Sequence, residues 1–136
     1  MIFAKALLTD NERFVAEASS HHAIVMDAGK EKTANSPMEL VLIALCGCTA
    51  SDVVGILRKK REPFTSLEVS AEGERAQDYP QVYTEIKLVY KVGGKVSRKA
   101  TEDAVRLSKE KYCSVSAMLE KSAKITIHIE YIDGAT

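Results

Sequence analysis

The chain is short of cysteine and has no surplus of either charge, and each lack excludes something. Three cysteines in 136 residues, Cys46, Cys48 and Cys113, are odd in number and widely spread. They do not form the disulfide framework that staples small secreted domains. Nineteen basic and nineteen acidic side chains cancel, so no global positive field gathers nucleic acid and no acidic excess favours disorder. There is no phosphate loop, dinucleotide fingerprint or serine elbow, nor any repeat, low-complexity tract or linker. The opening "MIFAKALLTDNERF" carries Lys5 and Asp10 and lacks the clean apolar core and small-residue cleavage pattern of a secretory signal. A cytoplasmic protein is expected, and in that reducing setting a disulfide would be catalytic or redox-sensing.

What is present suffices for one domain, expected over residues 1–136, because 46% of the residues are hydrophobic. "IFAKALL", "RFVAEA" and "AIVMDA" read as a three-strand antiparallel meander. "NSPMELVLIALCGCTASDVVGILRKKREP" then reads as a long helix. Ser36 is its N-cap, Pro37 its first residue, Glu39 completes a capping box, and Pro63 blocks continuation. About 25 residues at about 1.5 Å each give roughly 40 Å.

Between Leu40 and Leu57 every face of this helix is apolar or small, with Asp52 the only charge, so burial on all sides is expected. Its length would also span a bilayer. Asp52, Glu39, Thr49 and Ser51, and the lack of a second hydrophobic segment, speak against a membrane. One small domain cannot wrap such a helix with its own strands, so a homodimer enclosing two of them is expected. "SLEVSAEGE" and "VYTEIKLVYKV" alternate as a hairpin around the turn signal "DYP", with Val82, Thr84, Ile86, Leu88, Tyr90 and Val92 on the buried face. Ser97 caps a helix with Ala100, Ala104 and Leu107 on one side. A short helix runs from about Ser114 to Lys121, and "KITIHIEYI" forms a last strand facing Ile125, Ile127, Ile129 and Tyr131 inward. The class is α+β.

Residues two apart on a helix differ by about 200°, so Cys46 and Cys48 neither bond each other nor share a metal. The spacing is not that of zinc knuckles and no His or Cys pair completes a ligand set, so no metal is expected. Either cysteine reads as a small packing residue, and Cys46 is kept so. Asp52, one turn beyond Cys48, would if ionised oppose thiolate formation there. Cys113 in "KEKYCSVSAML" precedes a short helix capped by Ser114 or by Cys113 itself. A helix N-terminus with Lys109 and Lys111 nearby favours a low-pKa thiol; simple packing is the other reading.

"SPMELVLIALCGCTASDVV" with "YCSVSAML" resembles the OsmC/Ohr family, and most of all its YhfA-type branch. Its members carry one cysteine inside a long central helix and a second at the head of a later helix. The resemblance covers essentially the whole chain and implies an OsmC-like fold and an intertwined homodimer with active sites at the interface. It places the peroxidatic cysteine eleven positions past Pro37, at Cys48, and the resolving cysteine at Cys113. The implied activity is a thiol-dependent peroxidase of oxidative-stress defence. Cys48 would attack an organic hydroperoxide or hydrogen peroxide, the sulfenic acid would close to a Cys48–Cys113 disulfide, and an external dithiol would reduce it. No cofactor is implied.

In the efficient hydroperoxide reductases a glutamate follows the proline and holds an N-terminal arginine against the thiolate. Here Met38 follows Pro37. Glu39 and Arg13, the only arginine before Arg58, are the candidates for those two roles. The capping box already accounts for Glu39, and helix rise sets it some 13 Å from Cys48 along the same helix, so a contact would need the partner chain. "NERFVAE" is unlike the glycine-rich arginine segment of the strong peroxidases. A non-enzymatic binder of small apolar ligands, or a redox sensor on the same fold, is the alternative. "RKKRE" (58–62) reads as basic residues complementing a helix C-terminus rather than a nucleic-acid patch, His21 and His22 as turn residues, and His128 as exposed.

Overall fold

A computed structural model describes residues 1–132; residues 133–136, the end of the expected 1–136 span, lie outside it. In chain order the elements are β1 (Ala4–Asp10), β2 (Arg13–Ala18), β3 (Ala23–Asp27), α1 (Pro37–Lys59), β4 (Phe64–Arg75) and β5 (Tyr83–Gly94). There follow α2 (Arg98–Leu107), a π-helical turn (Ser108–Tyr112), α3 (Ser114–Leu119) and β6 (Lys124–Ile132). This is the expected α+β order, with the π-turn as an addition that helical periodicity did not reveal. Two compact units divide at Val41 and Leu42.

In the first unit β1, β2 and β3 form an antiparallel meander. Its register aligns Leu7, Val15 and Val25 in one row and Leu8, Phe14 and Met26 in the next. Residues paired across strands share a face and adjacent rows face oppositely, so both faces carry apolar side chains. Leu7 is 69% exposed and Leu8 56%. After β3, Asp27 organises the loop. Its carboxylate accepts from the Gly29 amide (2.8 Å), the Thr33 amide (3.0 Å) and the Thr33 hydroxyl (2.8 Å). The two backbone donors, then the hydroxyl, hold its pKa down to about 2. The capping box is formed: the Ser36 amide donates to Glu39 Oε1 (2.8 Å) and the Glu39 amide to Ser36 Oγ (3.2 Å).

In the second unit β5 lies between β4, antiparallel, and β6, parallel. A parallel neighbour needs a crossover, which α2, the π-turn and α3 supply. Ile86, Leu88, Tyr90 and Val92 of β5 are buried. They align with Ile125, Ile127, Ile129 and Tyr131 of β6 and with Gly73, Ala71, Val69 and Leu67 of β4. At the start of β5 the alternation expected from sequence fails. Val82 and Thr84 are exposed and Tyr83 is buried. A bulge between Glu74 and Arg75 drops one residue from the register, turning Tyr83 inward. Its ring lies over Gly73, where a Cβ would come within 2.7 Å of it.

Helix α1 buries Leu45, Thr49, Val53 and Leu57, an i, i+4 stripe. By length and composition it could cross a membrane. Burial on all sides is not achieved within one chain: Ile43 is 51% exposed, and Gly47, Ser51 and Gly55 on the same stripe are also exposed. The helix ends as a Schellman motif, with the Glu62 amide donating to the Leu57 carbonyl and the Arg61 amide to that of Arg58, both at 2.9 Å. Arg61 takes the left-handed position at φ 58°, and Pro63 comes two residues later.

Candidate active site

Three consecutive features of α1 face the interior: Cys48 half-buried, Thr49 buried, and Asp52 half-buried one turn on. Cys113, 3% exposed, stands at the N-cap of α3. Its sulfur accepts from the Ser116 amide at 3.4 Å, its amide donates to the Ser108 carbonyl at 2.7 Å, and its carbonyl accepts from the Ser116 hydroxyl at 3.1 Å. Every backbone and side-chain polar group of this residue therefore has a partner. Cys48 is a close enough neighbour of Cys113 to act on the Cys113 thiol. Two thiols far apart in sequence are thus electrostatic neighbours.

Burial pushes the Cys113 thiol up; the Ser116 amide acts the other way, and the neighbouring Cys48 sulfur, when charged, raises it further. The low-pKa reading of Cys113 is therefore corrected. The two lysines invoked for it have other partners: Lys109 lies 3.9 Å from Glu120, and Lys111 sits over the Tyr112 ring at 5.2 Å. Helix α3 has six residues and too few peptide dipoles to outweigh desolvation. Cys46 is half-buried and burial raises its thiol as well.

Beside the thiols runs a line of hydroxyls that the sequence did not disclose. Tyr90 Oη is 2.7 Å from Thr49 Oγ1, Thr49 Oγ1 is 2.8 Å from Ser108 Oγ, and Ser108 donates to Asp52 Oδ2 at 2.8 Å. Tyr90, Thr49 and Ser108 are fully buried. Burial pushes Tyr90 up to about 12 even though the Thr49 hydrogen bond pulls the other way. A signal did exist in the sequence. Thr49 falls on the Leu45–Val53–Leu57 stripe and Ser108 one turn past Ala104, and a polar residue on a buried apolar stripe needs a partner.

The two remaining candidates sit in the first unit. Arg13 donates from Nε to Thr33 Oγ1 at 3.1 Å and lies 3.8 Å from Asp10. Glu39 is engaged in the capping box, where the Ser36 amide and hydroxyl lower its pKa.

Two three-stranded sheets, a long thiol-bearing helix and a second thiol heading a later helix define an α+β architecture with known counterparts. An OsmC-like protein from Mycoplasma pneumoniae shares it, with TM-score 0.85 over 97% of each chain at 16% identity. So does the organic hydroperoxide resistance protein OhrB of Bacillus subtilis, with TM-score 0.70 over 96% of this chain and 98% of that one at 11% identity. Protein YhfA of Escherichia coli K12 is 44% identical over 120 residues, 88% of this chain and 90% of that protein. The OsmC-like protein family matches residues 29–128, and this chain belongs to it.

Proposed function

We propose that the protein is a cysteine-based thiol peroxidase acting on organic hydroperoxides or hydrogen peroxide, with Cys48 attacking and Cys113 resolving. The observation that carries this reading is that Cys48, half-buried on α1, neighbours Cys113, buried at the cap of α3, closely enough to act on its thiol. Family membership supports the reaction class.

The Cys48 thiolate attacks the peroxide oxygen and the O–O bond breaks. The departing alkoxide or hydroxide takes a proton and leaves as alcohol or water, and Cys48 becomes a sulfenic acid. While Cys48 is charged it holds the proton on Cys113. Once Cys48 is a neutral sulfenic acid that restraint is gone, and Cys113 ionises more readily. Its sulfur attacks that of Cys48, the S–S bond forms, and hydroxide leaves to take up the released proton as water. An external dithiol reduces the bond by exchange and is itself oxidised to a disulfide. Arg13 and Glu39 are assigned no step, since each has a local partner that accounts for it.

Turnover tests this. Cumene hydroperoxide consumption with dithiothreitol should exceed that of an equal concentration of free cysteine by at least about a hundredfold, and Cys48→Ser should abolish the excess. One round of oxidation without turnover would indicate a redox sensor. No oxidation, with an apolar ligand carried through purification, would indicate a binding protein.

A further inference from the structure

The reaction as written leaves Tyr90, Thr49, Ser108 and Asp52 without a part, although three of them are fully buried. Their hydrogen-bond directions can be worked out. A carboxylate only accepts, so Ser108 gives its single hydrogen to Asp52. Ser108 must then accept from Thr49, and Thr49, its own hydrogen spent, must accept from Tyr90. One line of donation thus crosses from β5 through α1 to the π-turn and ends on a charge. Among the described residues no buried side-chain polar atom is left without a partner.

Ser108 acts on both sides of this junction. Its side chain is tied to α1 by Thr49, the residue next to Cys48, and by Asp52. Its carbonyl accepts the Cys113 amide at 2.7 Å, the i to i+5 bond that closes the π-turn. A π-turn holds one residue more than an α-helical turn. Relaxation to ordinary helical bonding would therefore rotate the downstream chain by about 100° and carry the Cys113 sulfur off Cys48. We propose that Ser108, backed by Asp52, Thr49 and Tyr90, is a positioning residue that holds the π-turn so that Cys113 meets Cys48. The inference deepens the resolving role proposed above and rests on it.

Thiol–disulfide exchange reads the positioning without any peroxide. The reduced pair and one oxidised glutathione give the Cys48–Cys113 disulfide and two reduced glutathiones, so the equilibrium constant reports how closely the sulfurs are held. In the full-length protein, Ser108→Ala should lower that constant by about tenfold or more, and Asp52→Asn, which keeps an acceptor but loses the charge, by about two- to fivefold. With cumene hydroperoxide, Ser108→Ala should leave formation of dimedone-trapped Cys48 sulfenic acid within about twofold of wild type while slowing disulfide closure about tenfold. A general loosening of the core would not give that split. Wild-type exchange constants in both variants overturn the proposal, as does an equal fall in both peroxide steps. Where Ser108→Ala does not fold, the Asp52→Asn constant decides. A wild-type protein inert to peroxide would defeat the peroxidase reading, whereas the exchange constants would still decide the positioning.

Discussion

Tyr90 illustrates how burial sets chemistry at the scale of one residue. Its ring completes the inward row of β5 and its hydroxyl starts the line that ends at Asp52; burial, against the pull of the Thr49 hydrogen bond, keeps the phenol neutral to about pH 12. A phenol whose folded pKa lies above its unfolded value near 10 contributes stability that is whole below pH 10. That contribution is lost as pH rises towards 12, because in that window the unfolded state binds fewer protons than the folded one. Absorbance titration of the five tyrosines should therefore contain a late phase near pH 12 that Tyr90→Phe removes, along with the steepest part of the alkaline fall in the urea midpoint. An unchanged titration in Tyr90→Phe would contradict the burial argument. Cys113 teaches the same lesson in reverse. The sequence offered a helix N-terminus and two lysines for an acidic thiol beside the packing reading, but no measure of desolvation, and desolvation dominates.

At the scale of elements, the end of α1 offers a test of local backbone physics. Arg61 occupies a left-handed position that favours glycine, and its side chain is exposed. Arg61→Gly should stabilise the protein by about 1 kcal/mol, read as a higher urea midpoint with unchanged slope; a lower midpoint would contradict the motif. The same helix shows what was legible. Ser36, Pro37, Glu39 and Pro63 marked its ends because caps and stops are local chemistry, and the structure forms that capping box. The inward rows of β5 and β6 were legible from alternation wherever the register is regular. They failed at Tyr83 because a bulge is a property of two paired strands, visible in neither sequence alone. The π-turn and the Ser108 junction were hidden for a related reason. Both depend on which residues a crossover brings beside α1, and sequence separation carries no such distance.

At the scale of the whole molecule, the exposed apolar surface needs a cover. Leu7, Leu8, Ile24 and Val25 of the meander are between 46% and 69% exposed, and Ile43 of α1 is 51% exposed. Large apolar side chains left bare in such numbers, on the meander and on α1 each taken by itself, mark interaction surfaces. We propose that a second copy supplies the cover, as a homodimer. Light scattering during gel filtration should give twice the mass of one chain, and Ile43→Glu should weaken the dimer at least about tenfold while leaving the circular dichroism unchanged. A monomeric wild type would contradict this. The central claim concerns the two sulfurs, and mass spectrometry of the reduced protein after cumene hydroperoxide tests it most directly. The account predicts that two of the three thiols are lost, that Cys46 stays free, and that one Cys48–Cys113 cross-linked peptide appears. Survival of all three thiols in excess peroxide, or a cross-link that includes Cys46 in place of either partner, would contradict it.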